Sequence, residues 1–347
     1  MLHMYNEIFE QPQVIRNCSD VNVGTLLRIA ALINERNIDN IYIAARGTSD
    51  NAATYGKYMF EVLTGLPVAL AAASVITIYN KKPILNNSLV IGISQSGEAK
   101  DVARVVESGK DCGTITVAIT NNPDSPLAKL ADFNLDCAAG KEFSVAATKT
   151  FTAEMYLIGL LAAYTAVSKD TIEKLSQVPE LIEQTFSAVK NIKILALKYK
   201  NFDEFIILGR GFNYAIAQES ALKIMETSYV RAKAFATSDF YHGPLAILQN
   251  DIPVMVFAPK GETENDTREI LKKIKAAGSA ALVVTDSTDK EISALADDVL
   301  KIPCAPCDMI SPFGSAVTAQ LFACFLAVAK GYDPDKPRML NKVTITQ

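Results

Sequence analysis

Lys223 and Glu226 lie three residues apart in a helically patterned stretch, which puts an ammonium and a carboxylate on one helix face. A carboxylate so placed can carry a proton between neighbouring carbons, although the same spacing also suits a plain ion pair. His242 precedes Gly243-Pro244, on a turn leading into a helix, and an imidazole that titrates near neutrality can shuttle a proton. Leu89 to Ile93 is an apolar strand running into Ser94-Gln95-Ser96-Gly97, with a helix expected from Glu98 to Ser108. That order aims N–H groups and hydroxyls at a point before a helix N-terminus, which is an anion site or simply serine N-capping. Gly97 would let the loop backbone approach a ligand closely. Gly47, Thr48 and Ser49 end an earlier strand and would face the same crevice. Lys342, near the end of the chain, reads from position alone as a solvated tail lysine.

These groups need a scaffold, and short apolar runs alternating with helical patterns supply one. Strands are expected at Ile41 to Ala45, Leu89 to Ile93, Thr114 to Ile119, Phe205 to Leu208, Pro253 to Ala258 and Ala281 to Thr285. The pattern repeats at an offset of about 164 residues: Ile41 to Ser49 (IYIAARGTS) parallels Phe205 to Asn213 (FIILGRGFN), and Leu89 to Thr120 parallels Ile252 to Asp286. The expected fold class is α/β, with two tandem domains, each a mostly parallel five-stranded sheet flanked by helices in three layers. The expected division is a helical segment at 1–24, a first domain at 25–165, a helical connector at 166–198, a second domain at 199–333 and a tail at 334–347.

The 347 residues are 49% hydrophobic and carry a formal charge of −4, which speaks against nucleic acid or an anionic membrane surface as partner. Small molecules fit better. Six scattered cysteines and no recognisable signal peptide fit a reducing cytoplasm. Cys304 and Cys307 form a CxxC without a second pair, and His3 and His242 are the only histidines, so no metal and no cofactor are expected. Neither Walker A nor G-x-G-x-x-G occurs. Among the uncharged stretches, Met309 to Ala329 is read as interrupted by Pro312 and Gly314, so no membrane span is expected.

The serine loop in a duplicated α/β chain resembles the SIS (sugar isomerase) family, and in particular the isomerase half of glucosamine-6-phosphate synthase. Met4 to Pro12 (MYNEIFEQP), Arg46 to Ser49 (RGTS), Ser94 to Glu98 (SQSGE), Val145 to Lys149 (VAATK), Ala221 to Tyr229 (ALKIMETSY), His242 to Leu245 (HGPL) and Pro337 to Lys342 (PRMLNK) follow in the family's order over essentially the whole chain. The resemblance implies phosphate binding by Ser49, Ser94, Gln95 and Ser96, with Gly47 and Thr48 beside them. It implies Glu226 as the base with Lys223 near it, His242 as the ring opener reaching in from a partner subunit, and Lys342 as a Schiff-base lysine. Val145, Ala147, Lys149 and Glu142 would line the pocket.

Departures are Ala99 where the family has a threonine, Val75 where it has an acidic residue, and Arg46 and Asp50 in place of uncharged residues. The glutaminase half of the synthase is not seen ahead of Met4. The expectation is therefore a homodimeric aminosugar-6-phosphate deaminase working on a hexose 6-phosphate or amino-hexose 6-phosphate. A simple aldose–ketose isomerase, a fructosamine-6-phosphate deglycase and a non-catalytic sugar-phosphate sensor are the alternatives. Ala258 to Glu262 (APKGE) replaces the serine loop in the second repeat, so one phosphate site per subunit is expected.

Overall fold

The computed structural model describes residues 2–249, 252–286 and 288–342; the tail residues 343–347 of the expected 334–347 segment lie outside the described residues. The chain divides into two compact units. The first holds Glu10–Glu142, Ala147–Ser176 and Asn341–Gln347; the second holds Met1–Phe9, Phe143–Ala146 and Gln177–Leu340.

The first unit contains strands β1 (Asn40–Ala44), β2 (Val68–Leu70), β3 (Ser88–Ile93), β4 (Ile115–Thr120) and β5 (Phe133–Asp136) in the order β2-β1-β3-β4-β5, with every pairing parallel. The register sets Ile41 beside Leu89 and Ile93 beside Ile119. β3 and β4 are buried along their whole length, which is why they read as unbroken apolar runs. The helices that matter here are α1 (His3–Glu35), α2 (Thr48–Thr64), α3 (Lys100–Asp111) and α4 (Lys149–Thr165). Val102, Val105 and Val106 of α3 pack on Ala44, Val90 and Ala118 of the sheet. Each such buried valine stabilises by about 1.5–3 kcal/mol, fixing α3 on one sheet face. α1 runs unbroken through residue 24, where the sequence suggested a segment boundary.

The second unit repeats this plan. Its strands β6 (Glu204–Gly209), β7 (Arg231–Ala236), β8 (Val254–Phe257), β9 (Ala281–Thr285) and β10 (Asp298–Lys301) lie in the order β10-β9-β8-β6-β7, which is the first sheet's order read from the other edge. All its pairings are parallel too. Helices α5 (Asn213–Ser228), α6 (Glu264–Ala276) and α7 (Ser311–Ala329) complete the set used below.

Two expectations are corrected. The helix after the serine loop starts at Lys100 rather than Glu98, because Ala99 is extended and sits at the N-cap. Pro312 and Gly314 do not interrupt their stretch: α7 is continuous, with Pro312 in the first turn, where its missing N–H has no bond to lose. By length and mean hydropathy of 1.6 it could cross a membrane, yet 83% of it is buried within this chain.

Candidate active site

In the first sheet the strand order reverses between β1 and β3, and ligands of such sheets bind at the carboxyl ends of the strands flanking that point. The two hydroxyl loops leave β1 and β3 there. After β3, the Ser94 N–H donates to Ile119 O at 3.1 Å, and Gln95 O accepts from Thr120 Oγ1 and Asn121 N–H, so the neighbouring strand end braces the loop. Gly97 N–H donates to Ser94 O and Oγ, and Glu98 N–H to Ser96 Oγ, closing the loop into a tight concave turn.

Gly97 has φ +68°, and a Cβ there would stand 2.1 Å from Ser125 Oγ. The glycine thus admits Ser125, which N-caps the next short helix, where the sequence suggested only room for a ligand. Gly97→Ala should shift the whole turn and cost about 1–3 kcal/mol in chemical unfolding, with weakened phosphosugar affinity in titration calorimetry. Unchanged stability and affinity would refute this account.

After β1, Gly47 (φ +54°) turns the chain and Thr48 opens α2. Ser49 is buried, and its Oγ donates to Glu154 Oε1 of α4 at 3.0 Å. Arg46, which the sequence left without a purpose, holds the buried Asp101 of α3 through Nε at 2.6 Å. The second unit repeats the arrangement, with Arg210 Nε 3.1 Å from Asp266 Oδ2 at the start of α6. The arginine is therefore a strap between strand exit and helix start that needs no ligand. Asp50, beside it, has its carboxyl pushed up by burial against the pull of Arg46.

Glu142 is buried and accepts from Thr148 N–H (2.9 Å), Thr150 Oγ1 (2.9 Å) and Lys342 Nζ (2.7 Å). Burial works against its charge, but the Lys342 ammonium and the Thr148 and Thr150 donors outweigh it and hold the carboxyl below its usual range. Lys342 is thus no free tail lysine; it is fixed in the unit that carries the serine loop. Lys149 is also buried, and its Nζ bonds Glu10 Oε2 at 2.6 Å and Lys141 O at 2.9 Å. Ala147 falls in the same unit, whereas Val145 falls in the second.

The second unit holds the other candidates. Lys223 of α5 is 1% exposed and lies 2.6 Å from Glu226 Oε2 and 3.4 Å from Glu219 Oε1. Burial would lower its pKa, but the two carboxylates prevail and raise it. This is a cluster of a buried Lys223 and Glu219 with a half-buried Glu226, rather than a surface pair. Glu219 was missed, although its i−4 spacing from Lys223 was there to be read. His242 is exposed on the turn before a 3-10 helix, Pro244–Ile247, in place of the expected ordinary helix.

A model of the SIS domain matches residues 35–164 and again 199–330. The chain belongs to the SIS-domain family. It is 35% identical over 345 residues to the glutamine-fructose-6-phosphate aminotransferase (isomerizing) of Aquifex aeolicus (strain VF5), covering 99% of this chain and 57% of that relative's length. The chain therefore spans little more than half of such relatives. Among solved structures, a Silicibacter pomeroyi DSS-3 protein described as a phosphosugar isomerase superposes with a TM-score of 0.88 at 30% identity, covering 96% of this chain and all of that one. The C-terminal domain of glucosamine-fructose-6-phosphate aminotransferase from Francisella tularensis gives 0.87 at 28%, covering 97% and 98%.

The two SIS units differ where it matters for an anion. In the second, the loop after β8 donates Lys260 N–H to Asp286 Oδ1 at 2.5 Å and Glu262 N–H to Asp308 Oδ2 at 3.0 Å. Asp286 Oδ2 also accepts from Ala305 N–H. A Cβ on Gly261 would fall 1.8 Å from Asp308 Oδ1, so the carboxylate sits hard against the loop. Two side-chain carboxylates take the N–H groups that a phosphate would need. Among the described residues no group of three or more His, Cys, Asp or Glu side chains is placed to hold a metal, and Cys304 and Cys307 are free thiols.

Proposed function

We propose that this SIS-family chain is an aminosugar-6-phosphate deaminase, converting a 2-amino-2-deoxyhexose 6-phosphate and water to a ketohexose 6-phosphate and ammonia. The observation that carries the reading is Lys342 Nζ held 2.7 Å from the buried Glu142 carboxylate. Aldose–ketose isomerisation needs only ring opening and a proton carrier. A lysine held in place within the unit that carries the phosphate loop is what exchange of an amine at C2 would call for.

In this reading the phosphate lies against Ser94, Gln95 and Ser96 before the N-terminus of α3, with Gly47, Thr48 and Ser49 across the crevice. His242 opens the ring, serving the site of a second subunit in a homodimer, a role that its exposure supports. Glu226 takes the proton from C2 and returns it to C1, turning aldehyde and amine into a C2 ketimine with a C1 hydroxymethyl group. Lys342, freed from Glu142 as a neutral amine, adds to C2, and ammonia leaves as the Lys342 Schiff base forms. Water then adds to C2 and releases the ketose and the lysine. Ala147 and Lys149 line the pocket in the unit that holds Lys342. The carboxylates at the second serine-loop position support one phosphate site per subunit.

The test is coupled ammonia release from a panel including glucosamine 6-phosphate, galactosamine 6-phosphate and fructosamine 6-phosphate. Release from a 2-amino aldose phosphate, with equimolar ketose phosphate, is expected. Ketose formation from aldose phosphates without ammonia would replace the reading with simple isomerisation, and ammonia released with equimolar aldose phosphate from fructosamine 6-phosphate alone would replace it with a deglycase.

A further inference from the structure

Glu154 stands on α4, 1% exposed, with Ser49 beside it at 7% exposed. The Ser49 hydroxyl has one proton, and it goes to Glu154 Oε1 at 3.0 Å. What remains on Ser49 Oγ for any other partner is lone pairs. A phosphate dianion offers only acceptors, so Ser49 in this state opposes it. The contrast with the β3 loop is sharp. There Ser94 Oγ and Ser96 Oγ accept from backbone N–H groups of their own turn, and their hydroxyl protons remain available to a ligand.

We propose that Glu154 is a specificity-determining positioning residue: it fixes the Ser49 hydroxyl as an acceptor, so that Ser49 receives a hydrogen from the sugar's hydroxyl or ammonium groups and leaves the phosphate to the β3 loop. This deepens the deaminase reading, rests on its placement of the phosphate at the β3 loop, and takes from Ser49 the phosphate contact that the resemblance implies for it. Geometry supports the fixing, since Ser49 sits in the first turn of α2 with its own N–H bonded to Arg46 O, and α2 packs along α4. A ligand with phosphate but no donor then gains nothing from Ser49, whereas an amino sugar phosphate does.

The experiment is calorimetric titration with inorganic phosphate of the wild type, Glu154→Gln, Ser49→Ala and the double variant, with Ser96→Ala as reference. A carboxamide of the same shape can donate to Ser49 Oγ and release its proton toward the crevice. Glu154→Gln should therefore tighten inorganic phosphate about tenfold, the worth of one charge-assisted hydrogen bond. In the Ser49→Ala background the same change should shift affinity by less than about threefold, because the effect travels through the hydroxyl. Thermal unfolding of each variant reports whether folding is preserved. Unchanged or weaker phosphate binding in Glu154→Gln, or equal tightening in both backgrounds, overturns the proposal while Ser96→Ala still weakens binding. If Ser96→Ala has no effect, or the wild type binds no phosphate, the underlying placement of the phosphate has failed and this proposal with it.

Discussion

Glu226→Gln is expected to lower kcat by about 10²–10⁴-fold while phosphosugar affinity stays within about threefold. Two carboxylates flank Lys223, and only one of them can meet a substrate. Glu219 is 1% exposed and Glu226 is 21% exposed, on the same helix and the same ammonium. The neutral amide keeps shape and can still bond Lys223, but it cannot accept a carbon-bound proton. Steady-state kinetics with calorimetric binding separate the two effects. A variant that turns over normally would remove Glu226 from the chemistry, and one that loses binding would make it a substrate anchor.

Lys223→Met should destabilise the second unit by about 3–5 kcal/mol, the cost of removing one partner from a buried ionic cluster. Methionine fills much of the volume, so the loss comes from Glu219, left charged and buried without its cation. Urea unfolding at neutral pH measures it. The pH dependence has a definite sign: the folded-state pKa of Lys223 is raised, so its contribution is fully present below the ordinary lysine value and is lost as pH climbs through the raised one. The gap between wild type and variant should therefore be flat from about pH 6 to 9 and shrink only above about pH 10.5. A gap that closes at neutral pH would mean that Lys223 is not the charged centre of the triad.

The strands legible in the sequence were the central ones. β1, β3, β4, β6, β8 and β9 were anticipated to within a residue or two, because both faces of these strands are covered and nearly every side chain must be apolar. β2, β5, β7 and β10 were not anticipated, and they are the four sheet edges. Edge strands are half exposed; β7, for example, reads RAKAFA, with Arg231 and Lys233 in solvent. No apolar run marks such a segment. The α3 start was misplaced because Ala99 supplies N-cap geometry without a capping side chain, so no residue type signalled the boundary.

Site legibility followed the same division between local and distant. Spacing alone put Lys223 and Glu226 on one face, and the serine loop announced itself by its place between strand and helix. Contacts across long separations were invisible: Lys342 with Glu142, Ser49 with Glu154, and Arg46 with Asp101 join residues 200, 105 and 55 positions apart. The repeat offered the one clue to the last of these, since Arg46 and Arg210 recur at the common offset, as do Asp101 and Asp266 within a residue.

Asp286 and Asp308 act in the second SIS unit as a ligand built into the chain, at a local concentration that does not vary with the solution. Such a ligand needs no metabolite to arrive and none to depart, so the N–H groups of this loop are satisfied by the chain itself. The duplicated halves thus close the same loop differently, the first with its own serine hydroxyls and the second with carboxylates from outside the loop.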